Sequence, residues 1–210
     1  MANFDAQIQD LVGSTMQDQN AMDTFMSDGL KQLYSILPPS KLVECITHTE
    51  LSNSPSTLDI DTATIGPIIS VTRKDKHGIN QICRQVSADM ASRITDVDDL
   101  FHSTETDPVY FIKNAVLNVF PEPTATQTAE VLYLPLTSID ASATDSIDNL
   151  SNNLTYIVVL YASIKSAERL MAEEEDIELY SPIITSLKQD YAQALQTLGV
   201  ERRRVNTNES

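Results

Sequence analysis

The sequence predicts an α+β protein: a helical bundle with a central β-hairpin and β-sheet insertion between an N-terminal helix and two long C-terminal helices. Three observations predict it. Apolar residues recur at spacings of three and four over residues 20–37, β-branched runs separated by turn residues follow from residue 65, and helical spacing returns at about residue 149. The chain has 210 residues, enough to bury a core without disulfides or metals. Its 30 acidic side chains against 14 basic ones give a formal net charge of −16. That sign argues against a surface that holds nucleic acid by neutralising phosphates, or one that binds anionic lipid.

The elements follow in order. Phe4, Ile8, Leu11 and Val12 make a weak amphipathic stretch, set apart by Gly13-Ser14-Thr15, so residues 1–17 read as an arm that orders against a partner. Met22, Phe25, Met26, Leu30, Leu33, Tyr34 and Leu37 line one face of the next helix, which Pro38-Pro39 ends because proline has no N–H and displaces the residue before it from helical geometry. Ser40 could cap a short helix over residues 41–46, and the Ser, Thr, Asp and Asn of residues 47–64 read as a connection. Residues 18–64 therefore belong to a helical domain, completed by residues 149–199.

Residues 65–148 form the insertion. Runs 67–73 and 79–86 flank the polar loop 74–78, whose Gly78 permits a positive φ, and read as a hairpin. A second hairpin pairs 109–112 with 116–120 across Lys113-Asn114-Ala115, and residues 129–136 form a further strand. Residues 88–100 read as a short helix and an acidic loop. Beyond them, Leu150-Ser-Asn-Asn-Leu154 offers capping residues for a helix to about Glu174, whose first half is apolar nearly all round. Ile157, Val158, Leu160, Tyr161 and Ile164 are its candidate core and subunit-interface residues. Ser181-Pro182 reads as the start of a last helix with Ile184, Leu187, Tyr191 and Leu198 on one stripe, closed by Gly199. Residues 200–210 form a polar tail.

Motifs for chemistry are few. Neither His48, His77 nor His102 has the partner spacing of a zinc site. The cluster Asp96-Val-Asp98-Asp99 has carboxylates that could hold a divalent cation, yet it lacks the glycine and distal Glu of an EF-hand loop. Five isolated glycines provide no phosphate-binding loop. Cys45 and Cys83 read as buried or partly buried free thiols of a reducing cytoplasm, since the start of the chain has no signal peptide pattern and no apolar run is long enough to span a bilayer. The reading is thus of a non-enzyme with no cofactor, no metal and no catalytic residue.

The order of segments carries more. Residues 107–123, Asp-Pro-Val-Tyr-Phe-Ile-Lys-Asn-Ala-Val-Leu-Asn-Val-Phe-Pro-Glu-Pro, resemble a hairpin common in virion proteins of tailed bacteriophages. They are followed by Ala129-Glu-Val-Leu-Tyr-Leu134, by Asp148-Asn-Leu150, by the apolar helix 156–169 and by Glu174-Glu-Asp-Ile177. This succession is similar to the head-to-tail adaptor and neck proteins, including the tail-tubular type of short-tailed phages. It covers about residues 65–198 and departs at Leu150-Ser-Asn-Asn, where related sequences have a Pro-Glu helix start.

The resemblance implies a ring of about twelve copies, closed by heterologous contacts, that joins the portal protein to the tail or to further neck proteins. Such a ring lines the channel for DNA ejection, in a virion assembled in the host cytoplasm. DNA passes without specific binding, and no membrane is involved. The tail would then dock through Arg202, Arg203 and Arg204 on an acidic surface of the portal or a neighbour. The alternatives are another neck or tail ring (a stopper, tail-completion or tail-tube protein), a virion-associated hydrolase using Asp96, Asp98 or His102, and an acidic inhibitor or chaperone.

Overall fold

The computed structural model of the chain describes residues 2–14, 18–53, 56–60 and 64–199. Mixed α and β structure is arranged in two units, one formed by the residues up to Cys45 together with those from Thr137 onward, the other by Ile46–Leu136. The helical unit is therefore split in sequence by the β unit. Its borders differ from the expected 65–148, because both flanks follow tertiary contacts that local composition does not encode.

The helical unit opens with α1 (Phe4–Val12), α2 (Gln19–Ile36) and α3 (Pro39–Leu42), the last running into a 3₁₀ turn at Val43–Cys45. Asn3 Oδ1 accepts from Ala6 N at 3.0 Å to cap α1, and Gly13, at φ 77°, closes it. Phe4, Ile8 and Val12 are buried in this unit, so α1 packs on its own chain, correcting the reading of residues 1–17 as an arm waiting for a partner. The first free N–H groups of α1 are met by the segment 137–148: Phe4 N donates to Thr144 O and Asp5 N to Ala141 O, both at 2.9 Å. Ala141 N donates in turn to Asp23 Oδ1 on α2, and Ile139, Ala141 and Ile147 are buried. Residues 137–148 thus belong to the helical unit. Pro38, not Ser40, occupies the cap position of α3, because Pro39 already takes its first helical position.

The β unit has two four-stranded sheets. Its strands are β1 (Thr47–Leu51), β2 (Thr57–Asp59), β3 (Ile65–Lys74), β4 (Asn80–Ile82), β5 (Arg84–Gln85), β6 (Val109–Lys113), β7 (Val116–Phe120) and β8 (Ala129–Pro135). One sheet has the order β1-β8-β3-β4, the other β2-β7-β6-β5. Leu51, Val71, Ala129 and Val131 of the first sheet and Leu117 and Val119 of the second form one core between them. The other face of the second sheet is covered by a 3₁₀ turn, Ala88–Met90, and α4 (Ala91–Thr95), where Ile94 meets Val109 and Phe111. Alternate residues of the β6–β7 hairpin thus serve two cores, and this explains its nearly continuous apolar sequence.

Arg73 on β3 is 2% exposed and donates to Pro121 O, Lys74 O, Glu122 O and Gln127 Oε1. It fastens the segment that joins β7 to β8. The strand at 47–51 corrects the expected connection: Thr-His-Thr-Glu alternates around an exposed face, so a single apolar residue, Leu51, is all that the buried side requires.

The helical unit resumes with α5 (Asn152–Glu174) and α6 (Ile177–Thr197). α6 begins before the expected Ser181-Pro182 start. Asp176 Oδ1 accepts from Leu179 N at 3.0 Å and caps it, while Pro182 lies inside the helix and is exposed. α5 packs against α1, α2 and α6, and Gly29 of α2 lets it approach closely: a Cβ there would sit 2.9 Å from Tyr161 Cδ1.

Candidate interaction surfaces

The residues expected at a subunit interface come first. On α5, Ile157, Val158, Leu160 and Ile164 are buried and Tyr161 is half-buried, all within the helical unit of one chain. Leu160 and Ile164 pack on Leu187 with Leu11, Ile183 and Tyr191, and Tyr161 lies against Tyr191 with ring centroids 6.4 Å apart. The cover that the sequence reading divided between this chain and a neighbour is supplied by α1, α2 and α6. Arg202, Arg203 and Arg204 lie outside the described residues.

The groups that could do chemistry are dispersed. His48 lines a shallow depression on the first sheet with Glu50, Lys74, Asn80, Thr128 and Glu130, and Lys74 Nζ stands 3.9 Å from Glu50 Oε1. His77 sits on the β3–β4 loop, where the Asp75 carboxylate accepts from the backbone N–H groups of His77 and Ile79. Cys45 and Cys83 are buried free thiols; burial raises both, Cys83 to about 12, so neither is a thiolate at neutral pH. Among the described residues no group of three His, Cys, Asp or Glu is placed to hold a metal ion. No described helix is long and apolar enough to cross a membrane.

The alternative catalytic residues Asp96, Asp98 and His102 fall on one loop that follows α4. Asp96 Oδ1 accepts from Asp98 N at 3.1 Å, and among the described residues His102 Nδ1 is buried without a hydrogen-bond partner. What the loop does have is bracing. Arg93 Nε and Nη2 donate to the two carboxylate oxygens of Asp99 at 2.9 and 3.3 Å, and the guanidinium lies over the Phe101 ring, 4.4 Å from its centroid. Asp99 Oδ1 also accepts from Phe101 N at 2.9 Å. The arginine first, and then this N–H, hold the Asp99 carboxyl below its ordinary pKa. His102 N donates to Asp99 O, and Ser103 donates to Ile94 O through both its N–H and its hydroxyl.

Turned outward from this frame are Val97, 74% exposed, and Leu100, 94% exposed, with Phe101 partly exposed beside them. Sequence reasoning placed an acidic loop here and missed the apolar residues. The signal available was Val97-Asp-Asp-Leu-Phe101, whose apolar residues fit no helix stripe or strand alternation. Other exposed apolar side chains include Val43 just after α3, Ile79 and Ile82 around β4, and Ile177 and Leu179 at the start of α6.

No protein-family model and no curated protein matches this sequence.

Proposed function

We propose that this chain is a structural subunit of a bacteriophage head-to-tail adaptor ring, placed at the neck between the portal and the tail. The observation that carries the reading is the segment 107–123, whose resemblance to the phage virion hairpin comes with the order of parts that the resemblance implies. That segment makes β6 and β7, and its β unit interrupts one helical unit in sequence. The role is geometric and electrostatic. Copies at −16 each around one axis give a like-charged passage through which DNA slides without adhering. Docking through Arg202, Arg203 and Arg204 belongs to the same reading.

The test is mass by light scattering of the protein alone and mixed with the cognate portal, with negative-stain imaging of the mixture. A ring, or a collar added to the portal, is expected. Replacing the three arginines by alanine should leave the fold intact and weaken association. A chain that stays monomeric and ignores the portal would overturn the adaptor reading in favour of an acidic inhibitor or a virion-associated enzyme.

A further inference from the structure

The loop from Asp96 to Phe101 joins three properties. It is braced, by the Arg93–Asp99 pair, by the guanidinium on Phe101 and by the Ser103 bonds to Ile94. It is apolar at its tip, where Leu100 is 94% and Val97 74% exposed. It is also electrically unbalanced: Arg93 is committed to Asp99, and among the described residues neither Asp96 nor Asp98 forms an ion pair.

A loop that merely connects elements gains nothing from holding leucine and valine rigidly in water. A preorganised knob does, because the ordering cost of binding is already met in the free protein. The unpaired carboxylates beside the apolar tip define the sign of the surface it fits. A lysine- or arginine-bearing surface would neutralise that rim, whereas one bearing carboxylates would be repelled by it.

We infer that the loop Asp96–Phe101 is a docking knob for a basic protein surface, with Leu100 and Val97 entering an apolar socket and Asp96 and Asp98 pairing with lysine or arginine at its rim. The choice of partner rests on the adaptor reading, which makes it a different protein of the same particle. Leu100 is the central contact. The carboxylates act mainly on the rate of encounter and its salt dependence, and the apolar pair on the lifetime of the complex.

The experiment complements phage that lack the gene with the full chain, wild type or variant, and quantifies the protein in purified particles by mass spectrometry. Val97→Ser with Leu100→Ser should lower incorporation at least about tenfold. The melting temperature of the purified variant should match the wild type, since both side chains are already in water. Carbodiimide treatment of wild-type particles should join Asp96 or Asp98 to a lysine of another protein. Unchanged incorporation of the double serine variant overturns the inference, as does a carbodiimide link from this loop to another copy of the chain. Wild-type protein absent from the particles overturns the adaptor reading itself, and the docking inference with it, and is distinguished by the wild-type sample alone.

Discussion

Arg73 is the residue with the most at stake in the β unit. Its guanidinium is buried, and its partners are three backbone carbonyls and the Gln127 side chain in place of a paired carboxylate. Arg73→Met keeps much of the volume and leaves those acceptors unsatisfied, so urea unfolding should register a loss of about 2–4 kcal/mol. Carboxylates that cap turns set the acid limit of stability. Asp140 accepts from Ser142 Oγ at 2.7 Å and from Ser142 N and Ala143 N, and its pKa is lowered from 3.8, chiefly by the Ser142 hydroxyl. Asp18 is lowered likewise, first by the Ala21 N–H and then by Arg169. For a carboxylate depressed on folding, the stabilisation is fully present above the unfolded pKa and is lost as pH falls through the folded one. The melting temperature should therefore decline as pH drops below about 4, and Asp140→Asn should decline less over that interval than the wild type.

At the scale of elements, the β6–β7 turn shows a sequence at odds with its geometry. Asn114 and Ala115 both have positive φ, 52° and 60°, which suits asparagine and strains alanine. Ala115→Gly should raise stability by about 0.5–1 kcal/mol in thermal unfolding, and an unchanged or lower value would overturn the reading of strain at this position. The elements also differ in how well they can be read. The β6–β7 hairpin and α5 are legible because their patterns are long and apolar. β1 is not, because an edge strand with one exposed face can be mostly polar, and its pairing with β8 is a contact across the chain. The start of α6 was displaced for a local reason: Ser181-Pro182 has the form of a helix start, but Asp176 caps a turn earlier, and Pro182 lies on the exposed side.

On the scale of the whole molecule, charge separates the two kinds of association proposed. Contacts between copies at −16 meet like-charge repulsion, which salt screens, so assembly of the chain with itself should strengthen as ionic strength rises from about 50 to 300 mM. Docking of the Asp96–Phe101 knob on a basic surface should weaken over the same range, because its attraction is screened instead. Light scattering of the chain alone, and titration against its particle partner, read the two trends independently; parallel trends would remove the electrostatic argument for the knob.

The sequence by itself determined the α+β class, the β6–β7 hairpin, the long apolar helix and the net charge, because each is written in local periodicity, turn residues or composition. Of the expected hairpin 67–73 with 79–86, only residues 80–82 pair with β3, while 84–85 pair with β6 in the other sheet. Tertiary structure decided the rest. It turned an apparent N-terminal arm into a packed helix, drew residues 137–148 into the helical unit through bonds to α1 and α2, and enclosed Ile157, Val158, Leu160 and Ile164 within a single chain. It also gave the acidic loop an apolar tip. Burial and bracing depend on partners distant in the chain, and a periodic pattern records that a face is covered without recording what covers it.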